Sequence, residues 1–226
     1  MLKISKNIDK QQSTKTSITK KQASDYELIA SAYHESSHTI VGLANLLFID
    51  DVSITIDNGG DTNYFMYLTE QTINSSLKKI IALSELKTIY AGLVGEKIYY
   101  RDVTGSHLFP MFLKIGSSMD TAMGSDIIRK NNLANSGNDT YLLKNNIKEE
   151  LEKFLIEHWQ SVKDIAHALY KRKKLRFSEL KYILIRGEDG DFWKDRFKKI
   201  KLLHNDKCLS EKTVKEIINP RLVIKQ

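Results

Sequence analysis

His34-Glu35-Ser36-Ser37-His38 places two imidazoles four residues apart, with a carboxylate directly after the first. On a helix, residues i and i+4 lie on one face, about 5–6 Å apart at Cβ. Each ring can then offer one nitrogen to a single Zn²⁺ at about 2.0–2.1 Å. Glu35 follows the first ring by one position, so it points to the side, toward the open position of such a metal. That is where a general base for water belongs. Zinc would polarise a carbonyl and lower the pKa of its water to about 7. The chemistry expected is hydrolysis of a peptide bond, with His34 and His38 as metal ligands and Glu35 as the base.

A catalytic zinc needs a third protein ligand. The extended pattern His-Glu-x-x-His-x-x-Gly-x-x-His would require Gly at 41 and His at 44, where this chain has Val41 and Ala44. Four other sources are open: Glu85 or Glu96 from a later helix, His107 from a loop, or Asp126 near the start of a helix.

The elements that must position these groups can be read from periodicity. Ser24-x-x-Glu27 is a capping-box pattern, predicting a helix from Ser24 to about Phe48. Asp51–Asp57 alternates and is β-branched, and Thr62–Glu70 carries a run of bulky residues; with the Gly59-Gly60 turn they predict an antiparallel hairpin. An apolar stripe predicts a long helix over Ile73–Tyr100. Residues 101–122, with Gly105, Pro110, Gly116 and three serines, read as a long loop. Helices are expected again over Ser125–Asn135, Asp139–Arg172, Ser178–Ile185, Phe192–Leu203 and Ser210–Ile218. The fold class is mainly α with a small antiparallel β hairpin or sheet (α+β).

The order of these pieces resembles the peptidase domain of FtsH, a membrane-anchored AAA+ zinc protease family. "AYHESSHTIVG" (Ala32–Gly42) resembles that family's A-x-H-E-A-G-H-A-x-x-G, and "DVSITIDNGGDTNYFMYLTE" (Asp51–Glu70) its strand, glycine turn and strand. "LKTIYAGLVGEKIYY" (Leu86–Tyr100) is similar to its G-G-R-x-A-E-E helix, with Gly92, Gly95 and Glu96 in place. "GSDIIRKNNLA" (Gly124–Ala134) resembles G-A-x-x-D-[IL]-x-x-A-[TE]-x-x-A, which carries the third zinc ligand, and Leu151–Leu180 is similar to the closing helix. The resemblance covers about residues 26–185. It implies an FtsH-peptidase-like helical fold and Zn²⁺ held by His34, His38 and Asp126, with Asp120 the second choice for the third position. It also implies Glu96 as a group orienting a ligand histidine through its other ring nitrogen. The chain departs from the family pattern at Ser36-Ser37, where the family has Ala-Gly. It also has no G-x-x-x-x-G-K-[ST] phosphate loop.

Composition sets the frame. The 226 residues are 41% hydrophobic and 28% charged, as in a globular domain. Cys208 is the only cysteine, which excludes a disulfide framework and cysteine zinc knuckles and makes a reducing, cytoplasmic setting the expectation. No apolar run is long enough for a membrane span. The net charge of +7 is uneven. Residues 1–24 carry six Lys against one Asp, residues 171–226 seventeen Lys and Arg against eight acids, and residues 25–170 twelve bases against nineteen acids. The expected organisation is a mobile basic tail (1–24), a peptidase domain (25–187) and a basic helical extension (188–226). Solvation accounts for the charge runs, and no aromatic-interleaved pattern supports nucleic-acid binding.

The function expected is ATP-independent zinc metallopeptidase, cutting peptides or unfolded segments. The expected partners are that substrate, a separate ATPase or adaptor, and further copies of the chain. The alternative is a peptidase-like domain, weak or inactive in catalysis, that serves as a binding or regulatory module.

Overall fold

The computed structural model describes residues 20–55, 59–65, 75–105 and 114–205, with 213 and 217. Helix α1 (Lys20–Ala44) is its axis. From Ala32 to Leu47 every residue is buried, including His34, Glu35, Ser36, Ser37, His38 and Thr39. A helix buried on all sides shows little amphipathic contrast, so its apolar stripe is a weak sequence signal. The helix starts upstream of the expected Ser24 cap. It ends at Ala44, where Leu46 takes a left-handed φ of 64° and Leu47 N–H donates to Gly42 C=O at 2.9 Å.

Strands β1 (Phe48–Thr55) and β2 (Gly59–Phe65) follow as an antiparallel pair, with Val52 opposite Thr62 and a register shift between Ile49 and Asp51. The second half of the expected second strand, 66–70, lies outside the described residues. Helix α2 (Ser75–Thr104) lies along α1. Helix α3 (Lys114–Lys130) corrects both ends of the expected loop over 101–122, whose middle, 106–113, lies outside the described residues: α2 runs on to Thr104, and Gly116, Ser117 and Ser118 are helical in spite of their low propensity. Tertiary contact wins here, because α3 packs on α2, where Gly124 meets the Tyr90 ring.

Asp139–Arg172 is two helices rather than one, α4 (Gly137–Glu157) and α5 (Trp159–Arg172). The break is at His158, whose Nδ1 lies 2.8 Å from Asp189 Oδ2 with its ring fully buried. Lys173, left-handed at φ 67°, turns the chain into β3 (Lys174–Arg176), which pairs with the far edge of β1. The sequence reading has only a basic helix end at β3. The sheet order is β2-β1-β3. Helices α6 (Phe177–Arg186) and α7 (Gly190–Asn205) complete the described fold. Trp193, Phe197, Ile200 and Leu203 of α7 are buried in the same core as α1. This helix, which begins beyond the expected boundary at 187/188, packs against that core. Residues 1–19 of the expected tail and most of the last expected helix lie outside the described residues.

The second serine inside the histidine motif, Ser37, has a packing reason. Ser37 faces Gly95 of α2, where a Cβ would sit 1.8 Å from Ser37 Oγ. The hydroxyl donates to Tyr33 C=O at 2.8 Å. The space a serine needs on α1 is supplied by the absent side chain on α2. Gly95→Ala is expected to cost about 2 kcal/mol by overpacking, and less than about 1 kcal/mol in a Ser37→Gly background. Thermal denaturation of the four proteins measures this, and equal costs in both backgrounds would contradict the contact.

The sheet is tied by charge as well as by its ladder. Asp51 accepts from Lys174 Nζ at 2.8 Å across to β3 and from Asn63 Nδ2 at 3.1 Å across to β2. These partners hold its carboxyl below the usual aspartate range. A lowered folded-state value adds stability above the unfolded pKa of about 3.9 and loses it as pH falls through the folded one. Asp51→Asn is expected to melt lower than wild type at neutral pH, with the gap closing as acidification protonates the Asp51 carboxyl. Melting curves across that range test it.

Candidate metal centre

His34 and His38 sit one turn apart on α1, and both rings turn toward α2. His38 Nδ1 lies 2.7 Å from Thr88 C=O, and His34 Nδ1 lies 3.2 Å from Glu96 Oε2. A carbonyl or carboxylate oxygen only accepts, so each Nδ1 is the donor. In the neutral rings this leaves both Nε2 atoms as lone pairs, 3.0 Å apart. Gly92 makes room for them: a Cβ there would lie 2.4 Å from His38 Nε2 and 2.5 Å from His34 Nε2. Thr88, Gly92 and Glu96 recur along one face of α2, so one helix supplies the carbonyl, the gap and the carboxylate.

Asp120 of α3 closes the group. Its Oδ2 is 3.1 Å from His34 Nε2 and 3.4 Å from His38 Nε2. That oxygen is buried and has no hydrogen bond of good geometry. Three electron-rich atoms thus form a triangle with edges of 3.0, 3.1 and 3.4 Å. Ligands of a tetrahedral zinc at about 2.0–2.1 Å stand about 3.3 Å apart. The donor set, its spacing and the orphaned buried oxygen therefore fit a zinc ion. The ligand atoms of His34, Glu35 and His38 also lie within 4.8 Å of one another, which keeps Glu35 beside the metal position.

The electrostatics point the same way. Burial pushes the His34 ring down, but the Asp120 and Glu96 carboxylates against it, with Glu35 nearby, outweigh burial and hold it up at about 10. Burial pushes the Asp120 carboxyl up, and the two imidazoles beside it hold it well below the usual range. The site favours a positive charge at its centre, which a proton or a metal cation can supply. Tyr64 of β2 is pushed up to about 12 by burial and then by the Glu85 and Asp120 charges, so its hydroxyl stays protonated.

Asp126 is not brought to the histidines. Its side chain is 53% exposed and accepts from Arg129 at 2.9 Å. Asp120, Gly124 and Ile128 repeat every four residues on the face of α3 turned to the core, and Asp126 falls off that face. The expected order of the two aspartates is therefore reversed. A signal was available: in the pattern G-A-x-x-D the aspartate follows the glycine by four. Gly116 to Asp120 has that spacing, whereas Gly124 to Asp126 does not. Reading 101–122 as loop concealed it. Glu96 stands where expected, on the far nitrogen of His34. Glu85 lies outside the cluster, with its carboxyl pushed up by burial, and His107 lies outside the described residues.

The sequence reading missed Thr62, whose Oγ1 donates to Glu35 Oε2 at 2.7 Å, and the backbone carbonyl of Thr88. No sequence pattern marks a carbonyl.

A scan of the chain against protein-family models finds no match, and a search of curated proteins finds none.

Purified protein is expected to carry about one zinc per chain. That zinc should be lost in His38→Ala and in Asp120→Ala and kept in Asp126→Ala. Elemental analysis after dialysis decides it, and retention in Asp120→Ala would remove that ligand.

Proposed function

We propose that this protein is a zinc-dependent metallopeptidase of the FtsH-peptidase kind, hydrolysing peptide bonds in peptides or unfolded segments without ATP. The observation that carries this reading is the triangle of His34 Nε2, His38 Nε2 and Asp120 Oδ2, with both Nδ1 atoms committed elsewhere and Glu35 alongside. When bound, zinc supplies a Lewis acid that polarises a carbonyl and acidifies water.

The chain's own residues do the rest. His34, His38 and Asp120 would hold the ion, with Glu96 and the Thr88 carbonyl fixing the two rings. Glu35 accepts a proton at its carboxylate from the attacking water and can return it to the leaving amine nitrogen. Asp120 in place of Asp126 keeps the ligand chemistry expected from the resemblance and moves it six residues along α3.

The substrate class follows from access. Glu35 is 5% exposed and His34 8%, which favours a single extended chain over a folded surface as substrate. Among the described residues strand β2 is a sheet edge beside Glu35, where an extended peptide can add its backbone hydrogen bonds. At the second position of the Ser36-Ser37 departure, Gly95 makes room for Ser37 behind the site. Among the described residues no helix is long and apolar enough to cross a membrane. A separate unfolding partner or further copies of the chain are consistent with this reading.

Glu35→Gln is expected to keep about one zinc per chain and to lower the hydrolysis of casein at least roughly 100-fold. Zinc retention is measured alongside release of acid-soluble peptide. Zinc-loaded wild type without turnover on any unfolded substrate would favour the binding-module reading instead.

A further inference from the structure

We propose that Thr62, on strand β2, is the residue that positions Glu35, gripping one carboxylate oxygen and leaving the other free to take the proton. This rests on Glu35 acting as the base in the reading above.

Nothing on α1 itself holds the Glu35 side chain. Its backbone C=O accepts from Thr39 Oγ1 at 2.9 Å, which is a helix-internal contact. The carboxylate is held from outside the helix. Thr62 Oγ1 donates to Oε2 at 2.7 Å, in the range of a hydroxyl bonded to a charged oxygen. Oε1 has no hydrogen-bond partner among the described residues. The two oxygens are thus distinguished by the fold: one is anchored and one is available.

The strand delivers this contact by its alternation. Gly60, Thr62 and Tyr64 project to one face of β2. Thr62 sits opposite Val52, whose side chain is buried, so its register is fixed by the core. Two residues earlier on the same face, Gly60 leaves the slot into which Glu35 extends. A Cβ at Gly60 would lie 2.2 Å from Glu35 Cγ and 2.7 Å from Oε1. The backbone at Gly60 does not have a positive φ, so the glycine is required by the neighbouring carboxylate and not by conformation. Threonine is also stiff at χ1, which lets one hydroxyl define one orientation. A general base free to rotate out of its slot spends less time within reach of its proton, and misplacement by about 1 Å can cost about 100-fold. Thr62 therefore acts through Glu35 as a positioning residue, its hydroxyl committed to the carboxylate rather than to metal or substrate.

The test compares wild type, Thr62→Val, Thr62→Ser and Gly60→Ala. Valine keeps the shape and removes the hydroxyl, serine keeps the hydroxyl, and alanine at 60 fills the slot. Thr62→Val and Gly60→Ala are expected to lower kcat on an unstructured peptide about 10- to 100-fold with KM within about 2-fold and zinc at about one per chain. Thr62→Ser is expected to stay within about 3-fold of wild type. Crystal structures of the Thr62→Val and Gly60→Ala proteins give a readout independent of turnover, in which the Glu35 carboxylate should leave its wild-type position. Wild-type kcat in Thr62→Val, a Thr62→Ser protein as slow as Thr62→Val, or an unmoved carboxylate would each overturn the proposal. A wild-type protein that shows no hydrolysis would overturn the peptidase reading, and the carboxylate position would still decide the role of Thr62.

Discussion

Helices α1 and α2 cross at a place where α2 can carry no side chains. Gly92 admits the two histidine Nε2 atoms and Gly95 admits Ser37, each at a distance where a Cβ would collide. The rest of the site depends on this approach. It brings the Thr88 carbonyl and the Glu96 carboxylate within reach of the two Nδ1 atoms, which sets both tautomers and turns both lone pairs the same way. The two glycines cost helix propensity, about 1 kcal/mol each relative to alanine. Burial of the α1 face they receive offsets that cost.

The remaining walls are set by elements that lean on this pair. Helix α3 finds its rotation by seating Gly124 against Tyr90, and that rotation turns Asp120 inward and Asp126 outward. The sheet covers the other side of α1 and gives Glu35 its hydroxyl partner. A buried helix bearing two imidazoles and a carboxylate is costly to fold unless each polar group is paired. Here every pairing leaves the same remainder, three electron-rich atoms around one centre that favours a cation. Stability and chemistry thus make the same demand.

Much of this was legible in the sequence because local signals agreed. The His-Glu-x-x-His spacing, the glycine turn of the hairpin and the long apolar helix each have their own periodicity or punctuation, and their order sufficed to propose a zinc site and an α+β class. The failures share a cause, which is tertiary packing overriding local propensity. Gly116, Ser117 and Ser118 look like loop and lie in α3, which hid the better aspartate. Lys174–Arg176 looks like a helix end and is a strand, because the edge of β1 offers it a ladder. Trp193 and Phe197 sit in a segment whose surplus of lysines suggests an appendage, and they are buried in the central core. Thr62 could not be found from its type, since one threonine in a strand differs from another only by what faces it.

The central claim is that His34, His38 and Asp120 make one cation site. Diffraction from zinc-soaked crystals, recorded on both sides of the zinc absorption edge, tests it most directly. The account predicts a single strong anomalous peak about 2.0–2.2 Å from His34 Nε2, His38 Nε2 and an Asp120 oxygen, with Glu35 outside bonding distance. A peak that leaves out Asp120, or no ordered zinc between the two histidines, would contradict it.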